Sequence, residues 1–492
     1  MNKKVDVVLF GSILPPADFR ITPGSFPLGL LALAPILKQK GLSVEVISGA
    51  FRDAHQRLED TIKRCRYFGV SSMTGPYLKM AIDVSKAVKR KYPHIPIIWG
   101  GVHATLLYEE TIKEDYVDVI VRGMGEDTLW SLIEALEKGL PLSNIKGITY
   151  KINGRIISNS DIDIPDINKF PSFDYSDFLS YRDDISELPY ISSRGCPYGC
   201  TFCVASKLYN RKYYFYSAER MFEDISGLVD AFGCNRFTFW DDNLFVIKDR
   251  LKNFCRLLVD NDIKIKWSAF CHCDLFLKYD DEMVRLMKEA GLENISFGAE
   301  SGSLKILNLI KKKITPEQIV SCVLRTKEFN IDADFTFMTG FPQETMDDFK
   351  QTLSLFKEML KINPDISIRL FAFTPYPKIP ILEQEPSLAQ YFPNTIDSWA
   401  ILTYQNYIPQ WLDKGRQKLI DNIVWMVNFL SRKQRPKTQN IFFNLLLYLY
   451  HLSALFRLKI NFLSYAFEWK LFKFAYKINA RLIVQKTTEW KL

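Results

Sequence analysis

Six short β-rich runs between residues 187 and 385 each end in a polar or Gly/Pro cluster, and this recurrence constrains the fold more than any other feature of the chain. The run LPYISS opens into a loop with three cysteines, RFTFW into Asp241, Asp242 and Asn243, and KIKWSAF into Cys271, His272, Cys273 and Asp274. NISFG leads to Ala299, Glu300 and Ser301, DADFTFM to Thr339, Gly340 and Pro342, and ISIRLFAF to Thr374, Pro375, Tyr376 and Pro377. Helical stretches separate the runs. They predict parallel strands joined by crossovers, with the chemistry gathered at the C-terminal mouth of the strands. Six units predict a partial, open (βα)6 barrel rather than a closed eight-fold one.

Residues 1–140 show the same alternation in VDVVLF, SVEVIS, YFGVSS, IPIIWGG and VDVIVRG, with helical stretches between them. Small residues follow several of these strands: Gly11, Ser71, Ser72, Gly100, Gly101, Gly123 and Gly125. A doubly wound sheet opens its ligand crevice at such strand ends, where backbone must approach something large. Residues 141–186 break the pattern. GITYKINGRIIS predicts a hairpin turning on Asn153-Gly154, and the Pro- and Asp-rich stretch after it reads as a linker. The expected organisation is therefore α/β: a sheet domain over 1–140, a linker with a hairpin over 141–186, the barrel over 187–385, and a helical region over 386–492.

A chain of 492 residues exceeds what one core usually organises. With 47% hydrophobic and 24% charged residues, neither pervasive disorder nor a multi-span membrane protein fits. The opening MNKKVDVVLFGS lacks the long apolar run of a secretory signal, so a cytoplasmic protein is expected. The net charge of +8 is uneven: residues 431–492 hold twelve Lys and Arg against two Asp and Glu, leaving 52 against 54 in the body. That argues against a nucleic-acid groove across the body. The apolar run from Ile441 to Phe456 is interrupted by Asn444, His451 and Ser453, and falls short of the ~20 residues that span a bilayer. Aromatics interleaved with Arg457, Lys459, Lys470, Lys473, Lys477 and Arg481 suit amphipathic helices at an anionic lipid surface, or helices packed on the barrel with a solvated basic face.

Cys196, Cys200 and Cys203 lie within SRGCPYGCTFC, where Gly195, Pro197 and Gly199 supply tight turns that aim three sulfurs inward. A disulfide would strand one cysteine and needs an oxidising compartment. Zinc would need a fourth protein ligand, from Cys271 or Cys273. An iron–sulfur cluster held by three cysteines leaves one iron open, as a catalyst requires, and the single loop at a barrel mouth favours this reading. Cys65, Cys234, Cys255 and Cys322 read as ordinary buried thiols.

The stretch CPYGCTFC resembles the CxxxCxxC signature of the radical S-adenosylmethionine (SAM) enzymes, with Phe202 as the aromatic before the last cysteine. Other motifs of that superfamily follow in order. FWDDNLF, with Asp241, Asp242 and Asn243, lies where the family contacts the methionyl end of SAM. FGAESGS brings Glu300 and Ser301 toward the ribose, and FMTGFPQET brings Gly340 and Pro342 past the adenine. The resemblance covers about residues 1–385. It implies a 4Fe-4S cluster on Cys196, Cys200 and Cys203, with cleavage of SAM to a 5′-deoxyadenosyl radical.

The amino-terminal domain resembles the flavodoxin-like cobalamin-binding domain that precedes many of these enzymes, in PLGLLALA, GGVHATLLYEE and VRGMGEDTLWSLIEAL. By that resemblance Gly100, Gly101 and His103 line one wall of the corrin site and Gly123, Gly125 and Glu126 another, with Ser71 and Ser72 as further cofactor-binding residues. Asp53-Ala54-His55 is not taken as a D-x-H-x-x-G cobalt motif, because Leu58 stands where the glycine belongs. The family resembled implies C-methylation of an unactivated carbon or, in the same class, a cyclase or oxidative reaction. It also implies a small-molecule substrate and a reductant such as flavodoxin or ferredoxin. The C-terminus would suit a lipid or isoprenoid substrate and peripheral contact with a membrane. His272-Cys273-Asp274, where the family often shows an Arg two residues before the Asp, and Lys378-Ile379, in place of a Gly-Thr pair, suggest an unusual substrate side. The competing class is a non-catalytic zinc- or cluster-bearing module.

Overall fold

The computed structural model describes residues 5–16, 20–402, 407–431, 433 and 441–463. The basic positions Lys470, Lys473, Lys477 and Arg481 lie outside them.

The first sheet contains β1 (Val7–Gly11), β2 (Val44–Ser48), β3 (Tyr67–Ser71), β4 (Ile97–Gly100), β5 (Val119–Val121), β6 (Ile148–Ile152) and β7 (Arg155–Ser158) in the spatial order β2-β1-β3-β4-β5-β6-β7. The first five strands are parallel, in the 2-1-3-4-5 order of a flavodoxin-like doubly wound sheet. Their side chains are buried on both faces, with Val8 and Phe10 on one core and Val7 and Leu9 on the other.

The expected hairpin forms on Asn153 (φ 50°) and Gly154 (φ 75°), but it does not belong to a free linker. It adds β6 and β7 antiparallel to the edge of the first sheet. Ile148 and Tyr150 drive this, because their alternate side chains fall on the buried face beside Val119 and Val121. The rest of the stretch is also anchored. Phe178 is fully buried against Phe26 and Phe51, with ring centroids 5.3 and 4.9 Å away. Tyr175 donates its hydroxyl to the Pro189 carbonyl at 2.6 Å.

The second sheet contains β8 (Leu188–Tyr190), then, after a two-stranded ribbon of β9 (Ser193–Arg194) and β10 (Tyr214–Phe215), β11 (Arg236–Phe239), β12 (Lys266–Cys271), β13 (Leu292–Glu300), β14 (Asp332–Thr339) and β15 (Ser367–Ala372). Its six parallel strands run in sequential order, so β8 and β15 remain edges and the barrel is open. Phe237, Phe239, Trp267, Phe297, Phe335 and Phe337 point outward into the core beneath the helices.

The C-terminal region ties the two sheets together. The helix Ile396–Ala400 buries Trp399 in the core of the first domain, whereas Lys414–Val427 packs on β15. The helix Ile441–Ile460 lies against Met346–Ile362. Among the described residues no helix is long and apolar enough to cross a membrane.

Candidate functional site

The cysteine loop leaves β9 through Gly195, whose φ is +82° and whose Cβ, if it had one, would lie 2.4 Å from the Lys212 carbonyl oxygen. Only glycine fits that turn. Cys196, Cys200 and Cys203 are free thiols. Burial pushes Cys196 and Cys203 up to about 11 and raises Cys200 as well, where the nearby Lys312 ammonium opposes the shift. Coordination to iron reverses that tendency, because a bound thiol is deprotonated outright. Cys271 and Cys273, the alternative zinc ligands, lie buried in the core instead. Cys322 donates to the Cys273 carbonyl at 3.5 Å. Among the described residues no group of His, Cys, Asp or Glu is drawn together around a single ion. A cube of iron and sulfide is wider than one ion, and three thiols in one turn-rich loop suit it.

The two aspartates after β11 differ in environment. Asp241 is fully buried, and its carboxylate accepts from the Ser192 amide at 3.1 Å, the Ser192 hydroxyl at 2.7 Å and the Ser193 hydroxyl. It fastens β11 to the approach of the cysteine loop. Asp242 keeps open surface although protein surrounds it on most sides, as a group lining a cleft does. Burial, and then the charge of Asp241, push its carboxyl up to about 6, against a hydrogen bond from the Gly195 amide. Asn243 is 2% exposed, and neither its amide oxygen nor its amide nitrogen has a partner. A buried amide with both ends unmet is placed for a ligand rich in donors and acceptors, as the amino-acid end of SAM is.

Glu300 ends β13 with φ +62°, next to a shift in the register with β14. It forms a 2.9 Å ion pair with Lys312, and both side chains are 8% exposed. Lys312 also stands over the Phe202 ring at 5.9 Å. Lys312 sits inside a KKK run, so nothing local marks it as the partner of a buried glutamate. Ser301 is fully buried and engaged with Thr352 (3.3 Å) and the Ser303 amide (3.1 Å), so it holds the turn.

After β14 the Gly340 carbonyl accepts from Trp411 Nε1 at 3.0 Å, which brings the C-terminal region over the barrel rim. Pro342 is half-buried beside it. Glu344 accepts from the Thr339 hydroxyl at 2.8 Å and from the Gly340 amide, while its second oxygen is buried without a partner. Burial pushes its carboxyl up to about 7, despite Arg416 nearby.

On the first sheet, β3 and β4 end in an interlocked turn. The Ser72 hydroxyl donates to the Gly100 carbonyl at 2.9 Å, and the His103 amide to the Ser72 carbonyl at 3.2 Å. At Gly101 (φ +90°) a Cβ would fall 2.6 Å from that same carbonyl. His103 is 1% exposed, meets Thr74 Oγ1 at 3.0 Å, and is drawn down to about 4 by burial, so it is neutral at pH 7. The Ser71 carbonyl accepts from Ser12 at 2.7 Å, and the Gly123 amide donates to Thr105 at 3.0 Å. Between these turns Leu14 and Met73 stay exposed, at 37% and 44%. Small residues with two exposed apolar side chains form a shallow seat suited to a broad, partly apolar ring system. Glu126, at the start of the helix that follows Gly125, pairs at 2.7 Å with Arg194 of β9.

The profile of the Radical SAM superfamily matches residues 190–356, and that of the B12 binding domain matches residues 23–133. An uncharacterized methyltransferase of Pyrococcus horikoshii is 32% identical over 388 residues, covering 74% of this chain and 80% of its own. The chain belongs to the radical SAM superfamily, in the branch that carries a B12-binding domain. It is therefore a radical SAM enzyme, with a 4Fe-4S cluster, SAM and cobalamin as cofactors. The anaerobic magnesium-protoporphyrin IX monomethyl ester cyclase of Rubrivivax gelatinosus is 25% identical over 72% of this chain, which spans 65% of the cyclase. The fold is shared with the cobalamin-dependent SAM radical enzyme OxsB with aqua-cobalamin bound (TM-score 0.72, 19% identity, 92% of this chain and 72% of that one). It is also shared with the methyltransferase TsrM of Kitasatospora setae with cobalamin and a [4Fe-4S] cluster bound (TM-score 0.67, 17% identity, 79% of each chain). In this radical SAM enzyme the cysteine loop, the orphaned Asn243 amide and the seat at the ends of β3 and β4 fit those three groups.

Proposed function

We propose that this radical SAM enzyme transfers a methyl group to an unactivated carbon of a neutral, largely apolar small molecule held inside the open barrel. When bound, the cluster and SAM supply one-electron chemistry and cobalamin supplies a methyl carrier. Cys196, Cys200 and Cys203 hold the cluster, while Asp242, Asn243 and Glu300 orient SAM beside it. Gly340 and Pro342 would line the adenine side, and Trp411, bonded to the Gly340 carbonyl, would help to exclude water there.

The inner face of the barrel carries the reading. On β11 to β15 side chains that alternate with the buried outward ones keep surface, and those nearest the mouth are apolar: Trp240 (44% exposed), Phe270 (40%), Met338 and Phe371. The rings of Trp240 and Phe270 meet edge to face at 6.4 Å. Lower in the barrel the charges are paired, Asp334 with Arg369 at 4.0 Å and Glu293 with Lys266 at 2.8 Å and with Arg236, which leaves no single-sign patch to attract a phosphate or a polyamine. A hydrocarbon or isoprenoid body fits such walls.

A membrane surface as the source of that substrate is part of the same proposal. The helix Ile441–Ile460 buries Leu447, Tyr450, Ala454 and Leu458 but exposes Leu445, Leu449, Leu452 and Phe456 along its opposite side. With Arg457, Lys459 and the basic excess after residue 431, this suits a cytoplasmic enzyme resting on an anionic membrane face and taking electrons from flavodoxin or ferredoxin.

The test supplies the anaerobically reconstituted full chain with methyl-labelled SAM, a reductant and a lipid extract. The expected product is organic-soluble, carries the label and is heavier by one CH2. A product that gains a ring or oxygen without the label would replace methyl transfer with a cyclase-type reaction. A colourless zinc protein would remove the enzyme altogether.

A further inference from the structure

Tyr198 stands inside the cysteine loop, between Cys196 and Cys200, and the ring contacts it makes are unlike those of the loop's other residues. Its ring lies flat on the His272 imidazole, with centroids 3.8 Å apart and 13° between planes. Its hydroxyl donates to Asp274 Oδ1, which also meets His272 Nδ1. Lys278 reaches the other carboxylate oxygen at 2.7 Å. On its far side His272 Nε2 lies 2.8 Å from the Lys312 carbonyl, and the Lys312 ammonium is the partner of Glu300.

The donor and acceptor pattern fixes much of this assembly. A carbonyl oxygen only accepts, so His272 Nε2 carries a hydrogen. The remaining nitrogen faces a carboxylate oxygen, and two lone pairs there would repel. A proton there would complete the His272–Asp274 hydrogen bond. Burial weakens the hold of the imidazole on a second proton more than the bond to Asp274 strengthens it, so the imidazole titrates below its usual value. Burial also disfavours the Asp274 charge, but the hydrogen bonds from His272, Lys278 and Tyr198 outweigh it and hold the carboxyl well below its usual range.

We infer that Tyr198 is a positioning residue: through the Asp274–His272 pair it latches the cysteine loop to the end of β12 and to the turn that carries Lys312, and so sets how Cys196 and Cys200 face the cluster. The departure His272-Cys273-Asp274, read from the sequence as an unusual substrate side, serves the loop instead. The aromatic stack gives the latch direction, since a tyrosine ring pinned on one face and at its hydroxyl has no free rotation. The inference rests on the radical SAM reading, because the loop matters as a cluster loop.

Two measurements on the full chain test it. In iron-free protein, maleimide labelling of Cys196 and Cys200 is followed by peptide mass spectrometry, with the fully buried Cys255 as internal reference. Tyr198→Leu and His272→Ala are expected to speed labelling of both cysteines about tenfold, the loss of one charge-assisted contact and one ring stack. Tyr198→Phe, which keeps the stack, is expected to fall between. In reconstituted protein the reduced cluster of Tyr198→Leu is expected to show altered EPR g-values and a shifted reduction potential, both largely restored in Tyr198→Phe. Labelling rates and EPR spectra in Tyr198→Leu equal to those of the parent would overturn the latch. If His272→Ala does not fold, the two Tyr198 variants decide the matter. A parent that binds no iron would refute the cluster and leave the labelling comparison intact.

Discussion

Glu126 and Arg194 form a 2.7 Å ion pair across the two domains, with side chains 3% and 14% exposed. One opens the helix after β5, and the other lies two residues before Cys196. The pair therefore ties the sheet of the B12-binding domain directly to the cysteine loop. Removing one partner leaves the other buried and uncompensated. Glu126→Ala is expected to destabilise the protein by about 3–5 kcal/mol, whereas Glu126→Gln combined with Arg194→Met is expected to recover most of the loss. Urea unfolding of the three proteins gives the comparison.

Asn243 offers a cleaner separation of binding from stability. Its buried amide makes no internal hydrogen bond, so Asn243→Ala leaves no broken partner and is expected to be neutral or mildly stabilising in thermal unfolding. The same substitution is expected to weaken SAM binding about tenfold, the worth of one or two hydrogen bonds, by calorimetry on the reconstituted enzyme. A large loss of stability with unchanged affinity would reassign Asn243 to the fold.

The cysteines divide into two groups with opposite expected behaviour. Cys196→Ala, Cys200→Ala and Cys203→Ala are each expected to lose bound iron and sulfide and all SAM cleavage. Cys271→Ala is expected to retain the brown cluster, because its thiol is buried in the core. Iron and sulfide assays and the visible spectrum distinguish the groups.

Glu344 gives a pH dependence whose sign follows from its raised carboxyl. The folded state holds the proton up to about pH 7, whereas a solvated glutamate releases it near 4.3. The protonated folded form is thus fully favoured below the unfolded value, and its advantage is lost as pH rises through 7. Relative to Glu344→Gln, which imitates the neutral acid, the parent is expected to lose on the order of 3 kcal/mol between pH 4.5 and 7.5. Parallel urea melts of the cofactor-free proteins across that range measure the difference.

The helix Ile441–Ile460 supplies the membrane test. Leu445→Ser, Leu449→Ser and Phe456→Ser together are expected to reduce partitioning onto vesicles rich in anionic lipid at least about tenfold, with no change in unfolding, since these side chains face outward. Equal recovery of parent and variant with anionic vesicles, or with neutral ones, would count against a lipid surface there.

Much of the fold was legible because it is written in short-range periodicity. The alternation of strands and helices predicted both parallel sheets, and the Asn153-Gly154 dipeptide predicted its turn. The hairpin's destination was not legible. Its strands are ordinary in sequence, and only the free edge of β5 makes them part of the first sheet.

In the site, sequence motifs located residues but did not distinguish their tasks. Asp241 and Asp242 are adjacent and chemically identical, yet one is consumed by Ser192 and Ser193 and the other lines the cleft. Tyr198, Arg194 and Lys312 carried no signal of their own, because each takes its meaning from a partner at least twelve residues away. A cysteine spacing is a local property, so the order of residues alone puts three thiols in one loop at a strand end. Which charges that loop meets is decided by domain packing, where burial strengthens the attraction across the 2.7 Å between Glu126 and Arg194 and makes the loss of either partner costly.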